Sequence, residues 1–171
     1  MLELEKTYLA KNLPLDLKEY DFKEIIDIYI PKESVHPELR LRKRGNKYEL
    51  TKKTPLDEND KSKQEEQTIV LSEIEFNSLH EQLEGKKVHK KRYYYPYKNR
   101  IAEFDIFEGE LAGLVVIDFE FEKQKDCDEF QMPDFCLVEI TQETFLAGGM
   151  LCGKKYSDIE EDLKRFGYKK L

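Results

Sequence analysis

The sequence predicts an α+β domain in which antiparallel strands curl into a barrel and helices pack on its outside. Three observations carry that expectation. Short segments of alternating apolar and polar residues follow one another closely along 171 residues. Hairpin signals separate several of them, and only a few segments carry helix caps.

The first segment, Leu2–Ala10, sets Leu2 and Leu4 against Glu3 and Glu5, because successive strand side chains point to opposite faces. Residues 25–30, 38–44 and 47–53 continue the strand pattern, and Gly45 with Asn46 marks a two-residue hairpin. The polar, proline-bearing stretch 54–63 reads as a mobile connection, and 63–71 as the strand after it. Ser72 and Glu75 form a capping box for a helix that stops at Gly85. Strands are then expected over 87–95, 100–107 and 114–122, with turns at 96–100 and 108–113. A short helix over 123–130, a strand over 136–141, a helix near 143–151 and a last helix from Ser157 to Gly167 complete the chain. No repeat or linker divides it, so residues 1–171 read as one domain.

Composition excludes several classes. Charged residues make up 38% and the net charge is −7, which argues against DNA as a partner through overall charge. No apolar run approaches the roughly 20 residues of a membrane span. The first ten residues lack a basic start and an apolar signal core, so a cytoplasmic protein is expected. Cys127, Cys136 and Cys152 lack paired spacing and read as reduced thiols. His36, His80 and His89 show no metal-ligand spacing and read as ordinary surface histidines.

The strand faces carry the functional signal. Val115, Ile117, Phe119 and Phe121 oppose Asp118, Glu120 and Glu122; Ala102, Phe104 and Ile106 oppose Glu103 and Asp105. Leu39 and Leu41 oppose Arg40 and Arg42, Lys90 shares a face with Arg92, Thr51 with Lys53, and Lys63 with Glu65 and Gln67. Any one strand suits a half-solvated sheet. Together they suit a barrel whose apolar faces point out under the helices and whose charged faces line the interior. Mixed walls of that kind are balanced by a bound anion and a metal. Clustered Arg and Lys fit a polyphosphate, and clustered carboxylates fit a hard divalent cation. There is no glycine-rich phosphate loop, so side chains must do the binding.

This ordered series resembles the CYTH family, the triphosphate tunnel metalloenzymes. Glu3 and Glu5 match the two acids of its N-terminal ExExK strand; Arg40-x-Arg42, Thr51-x-Lys53, Lys63 to Gln67, Lys90-x-Arg92, Glu103-x-Asp105 and Asp118-x-Glu120 follow in the family's order. The resemblance implies an eight-stranded antiparallel tunnel and a small-molecule triphosphate substrate. It implies Mg²⁺ or Mn²⁺ on Glu3, Glu5, Asp118 and Glu120. Thr7, Arg40, Arg42, Lys53, Lys63, Lys90 and Arg92 would grip the substrate, and Glu65, Glu103 and Asp105 would orient the attacking water. Hydrolysis is the leading expectation, with a class IV-type adenylate cyclase or a catalytically weak polyphosphate binder as alternatives, and a homodimer is left open. Two departures stand out. Thr7 occupies the ExExK lysine position while Lys6 has the wrong strand parity, and residues 139–151 carry no Lys or Arg.

Overall fold

The computed structural model describes residues 2–35, 37–57, 60–83 and 85–171, without the side chains of Leu2, Glu3 and residues 60–63. Nine strands form one antiparallel sheet: β1 (Leu2–Ala10), β2 (Phe22–Ile30), β3 (Leu39–Arg44), β4 (Lys47–Asp57), β5 (Asp60–Leu71), β6 (Lys86–Tyr97), β7 (Arg100–Phe107), β8 (Val115–Phe121) and β9 (Cys136–Glu139). Four α-helices accompany it: α1 (Glu73–Gln82), α2 (Gln124–Asp128), α3 (Gly148–Leu151) and α4 (Tyr156–Lys164). The strand order is β5-β4-β3-β2-β6-β7-β8-β1-β9. β1 also pairs with β5 at its start, with Leu2 opposite Glu65 and Leu4 opposite Lys63. The count is therefore nine rather than the eight expected, because the short β9 pairs with the far half of β1.

The apolar faces do point outward. Leu4, Tyr8, Ala102, Phe104, Val115, Ile117, Phe119 and Phe121 form one cluster with Cys127 of α2. Ile28 and Leu41 are buried beneath Phe76 of α1. The inward face is apolar too where Leu9, Val116, Phe107 and Tyr29, in step with Thr7, Asp118, Asp105 and Asp27, pack with residues of α3 and α4. Phe104, Ile117 and Phe119 are fully buried, and each such side chain contributes roughly 1.5–3 kcal/mol by leaving water.

Several local expectations need correcting. Residues 54–57 and 60–63 belong to β4 and β5 rather than to a mobile connection; Thr54 and Pro55 pair with Glu65 and Gln64. Polar residues continue the ladder because one face of each strand meets a polar interior. The first helix stops at Gln82, ahead of Gly85. Gly85 is needed for close approach, since a Cβ there would lie 2.2 Å from Ile28 Cγ2 and 2.8 Å from the Tyr29 carbonyl oxygen. The capping box at Ser72 and Glu75 is present as expected. The last helix starts at Tyr156, because the Asp158 carboxylate accepts from the Lys155 N–H at 2.8 Å. The helix expected near 143–151 is broken at Ala147, which is extended, into a 3₁₀ turn (Thr144–Leu146) and α3. His36 lies outside the described residues.

Candidate active site

Strand alternation builds the site. Arg40, Arg42 and Arg44 of β3 lie on one face, with Leu41 fully buried on the other. Glu49, Thr51 and Lys53 of β4, Gln64 and Glu66 of β5, Lys90 and Arg92 of β6, Asp105 of β7, Asp118 and Glu120 of β8, and Glu5 and Thr7 of β1 all line the same cavity of about 320 Å³. Tyr29, Phe107, Val116, Ile140 and Leu146 line it too, and these belong to the apolar cluster under α3 and α4.

The bases are ordered by acids. Arg42 donates to both oxygens of Asp27, at 2.6 and 2.7 Å, and Asp27 is 1% exposed. Arg92 donates to both oxygens of Asp105, each at 2.6 Å, to Asp118 at 2.8 Å, and to Glu103. Lys90 donates to Asp105 as well. Burial by itself raises the Asp105 carboxyl, but the facing Arg92 and Lys90 charges overrule it and hold it at about 2. Burial lowers the Lys90 ammonium, with Arg92 and Arg42 adding to the effect against Asp105. Glu103 goes the other way. Burial pushes it up to about 7; Arg92 opposes this only in part, and Glu120, Asp118 and Asp105 add like-charge repulsion. Lys53 lies 3.6 Å from Glu66 and 4.0 Å from Glu5.

The lining holds eight acids (Glu5, Glu38, Glu49, Glu66, Asp105, Asp118, Glu120, Glu143) against six bases (Arg40, Arg42, Arg44, Lys53, Lys90, Arg92). Two further facts bear on what could occupy it. Glu5 and Glu120 are direct register partners across β1 and β8, an arrangement that costs stability unless a cation lies between them. Arg40 Nε and Arg44 Nε are buried without a hydrogen-bond partner, each at a cost of about 1–3 kcal/mol. The donors around Glu5 and Glu120 are oxygens, so they fit a hard divalent cation. Asp118 fits less well, because Thr7 Oγ1 donates to one of its oxygens at 2.9 Å and Arg92 to the other.

Most expected site residues therefore meet in one place, with exceptions. Glu65 is exposed and absent from the cavity wall, where Gln64 and Glu66 stand instead. The assumed parity of β5 was shifted by one residue, and a one-residue shift turns every side chain to the other face. Glu103 stands behind Arg92 rather than in the wall. The side chains of Glu3 and Lys63 lie outside those described. Thr7 faces the cavity, whereas Lys6 points away and pairs with Glu139 at 3.3 Å. The register of β1 against β8 runs unbroken from Leu4 to Leu9, so no bulge brings Lys6 inward. Sequence reasoning missed Asp27, Glu49, Arg44 and Glu66; continuing the alternation from Arg42 and Thr51 reaches Arg44 and Glu49, but Asp27 sits among Ile25, Ile28 and Tyr29 and reads as an interruption of an apolar strand.

No family model matches the chain. It is 28% identical over 144 residues to the inorganic triphosphatase of Nitrosomonas europaea, a match covering 84% of this chain and 91% of that one. This relative supports the resemblance to the CYTH family, the triphosphate tunnel metalloenzymes. Among solved structures, an inorganic triphosphatase superposes with a TM-score of 0.62 at 23% identity, covering 88% of this chain and 93% of the other. A candidate adenylate cyclase from Bacillus halodurans superposes at 0.53 with 14% identity, covering 99% and 91%. Both likenesses concern the fold. No helix among the described residues is long and apolar enough to cross a membrane.

Proposed function

We propose that this chain is a divalent-metal-dependent triphosphatase that binds a small triphosphate in a charge-lined tunnel. The pairing of β1 with β5 supports a closed tunnel, since it joins the two ends of an eight-strand run. The observation that carries the functional reading is the sorting of charge in one cavity, with a basic β3 face of Arg40, Arg42 and Arg44 and an opposed Glu5–Glu120 pair. The relative of Nitrosomonas europaea, an inorganic triphosphatase, supports the same reaction class.

Each residue then has a task. Arg40 and Arg44, with unpartnered Nε groups, donate to phosphate oxygens. Arg42, Lys90 and Arg92 are held in place by Asp27 and Asp105, so they meet the substrate already oriented. Asp105 is a positioning residue, because its oxygens are committed to Arg92 and Lys90. Glu5 and Glu120 would hold Mg²⁺ or Mn²⁺, which would neutralise phosphate charge as the terminal bond breaks. Glu103, outside the cavity wall, accepts from Arg92 and helps to hold that guanidinium in place.

A catalytically weak polyphosphate binder is the second reading, and Thr7 favours it. Its hydroxyl is donated to Asp118, so the position supplies no positive charge to a substrate. One assay separates the readings: incubation with inorganic triphosphate, thiamine triphosphate and ATP, each with Mg²⁺ or Mn²⁺. Free phosphate is the expected product. Cyclic AMP from ATP would replace hydrolysis by cyclisation, and tight binding without turnover would favour the weak binder.

A further inference from the structure

We propose that Glu24, His89 and Glu108 form a second, exterior metal site for a borderline transition-metal ion of the zinc class, separate from the charged cavity. Lys90 and Arg92 point into the cavity from β6; His89, one residue before Lys90 and in step with Lys91, lies on the other side of the strand. One ligand atom from each of the three residues falls within 4.8 Å of the other two. His89 Nε2 lies 2.9 Å from Glu24 Oε1 and 3.3 Å from Glu108 Oε2.

Those separations match the edges of a coordination polyhedron. With metal–ligand bonds of about 2.0–2.1 Å, donors around a tetrahedral ion stand about 3.3–3.4 Å apart, and donors at right angles about 2.9 Å. Hydrogen bonding alone does not account for the arrangement. One ring nitrogen offers either one hydrogen or one lone pair, so it serves only one of the two carboxylates facing it. Lys91 lies 2.7 Å from Glu108 Oε1, which is the other oxygen of that carboxylate, and Oε2 keeps its direction toward His89. The frame is rigid. Ile26 pairs with His89 and Glu24 with Lys91 in the β2–β6 ladder, and the Glu108 N–H donates to the His89 carbonyl at 2.9 Å. An imidazole nitrogen with two carboxylates suits zinc-class ions and disfavours Mg²⁺, which prefers oxygen alone. Three protein ligands leave the remaining position to water. Sequence spacing could not show this, because Glu24 and His89 are joined only by strand pairing.

The test is calorimetric titration of the metal-stripped full chain with Zn²⁺ alone, in buffer containing excess Mg²⁺. One Zn²⁺ per chain is expected. His89→Ala and Glu108→Gln should each weaken binding at least tenfold, while the double variant Glu5→Gln/Glu120→Gln should bind Zn²⁺ like wild type. Zn²⁺ should also raise the melting temperature of wild type and not of His89→Ala; if that variant fails to fold, His89→Gln takes its place. Undetectable Zn²⁺ binding by wild type, unchanged binding in a folded His89 variant, or loss of binding only in Glu5→Gln/Glu120→Gln would each overturn the proposal. The readout is metal binding rather than phosphate release, so its failure leaves the triphosphatase reading untouched.

Discussion

Asp105 and Glu103 stand two residues apart on β7, share Arg92, and titrate in opposite directions. Asp105 is held at about 2, below the ordinary carboxylate value near 3.9. It therefore contributes stability above that ordinary value, and the contribution is lost as pH falls through about 2. Asp105→Asn should destabilise the protein at neutral pH by about 3–5 kcal/mol, because it strips the partner from buried Arg92 and Lys90. Its denaturant midpoint should also vary less than that of wild type between pH 4 and pH 2. Glu103 is held near 7. The folded state keeps a proton that the unfolded chain releases, so stability is full below the ordinary value and declines as pH rises to about 7. Glu103→Gln should remove that decline and, without added metal, melt above wild type at pH 8, by roughly 2 kcal/mol. A lower melt for the Gln variant at pH 8 would mean that the Arg92 contact outweighs burial. Thr7 is the third residue of interest. Thr7→Lys should tighten triphosphate binding about fivefold, since a charged donor makes the stronger contact with an anion; unchanged affinity in a folded variant would count against Thr7 as a substrate contact.

At the scale of elements, β5 offers a clean comparison of its two faces. Glu66 lines the cavity beside Lys53, and Glu65 is exposed. Glu66→Ala should weaken triphosphate binding by more than tenfold, and Glu65→Ala should alter neither binding nor stability beyond about 0.5 kcal/mol; equal effects would refute the observed parity. That strand also shows where the sequence ceases to be legible. Strands with a strict apolar–charged alternation, such as β7, β8 and the first half of β1, could be read with their correct faces. β5 runs Lys63-Gln-Glu-Glu-Gln-Thr68 with no apolar residue among them, so nothing local fixes which side is inward. Its face is set by the register with β4, in which Thr51 meets Thr68 and Lys53 meets Glu66. The two-part segment 143–151 was opaque for a related reason. Its break at Ala147 accompanies the seating of Gly148 on Tyr29, where a Cβ would lie 2.1 Å from the Tyr29 hydroxyl oxygen, and that contact is tertiary.

Across the whole molecule, charged side chains line most of the cavity, an apolar cluster with α3 and α4 lines the rest, and two further apolar clusters lie on the outer face of the sheet. Glu5 and Glu120 face each other across β1 and β8, with Lys53 4.0 Å from Glu5, so stability should depend on whether a further cation joins them. In chelator, Glu120→Gln should melt above wild type, because one of two facing charges is gone. In millimolar Mg²⁺ the order should reverse, since wild type gains binding energy that the variant cannot. Identical melting curves with and without Mg²⁺ would argue against a metal between these strands.

The placement of β1 bears on the order in which the sheet can form. Its start pairs with β5, its middle with β8 and its end with β9. β1 thus has partners only in segments about 60 to 130 residues further along the chain. Hairpins such as β3–β4 and β6–β7 join neighbours in sequence, but β1 must wait for distant strands. Closing pairs so distant in sequence is slow. Until then Leu4, Tyr8 and Leu9, all buried in the finished fold, stay uncovered on a strand with two open edges. Docking of β1 is therefore the late, slow event in forming this sheet, and the residues it covers last are the ones a partly folded chain leaves open to association.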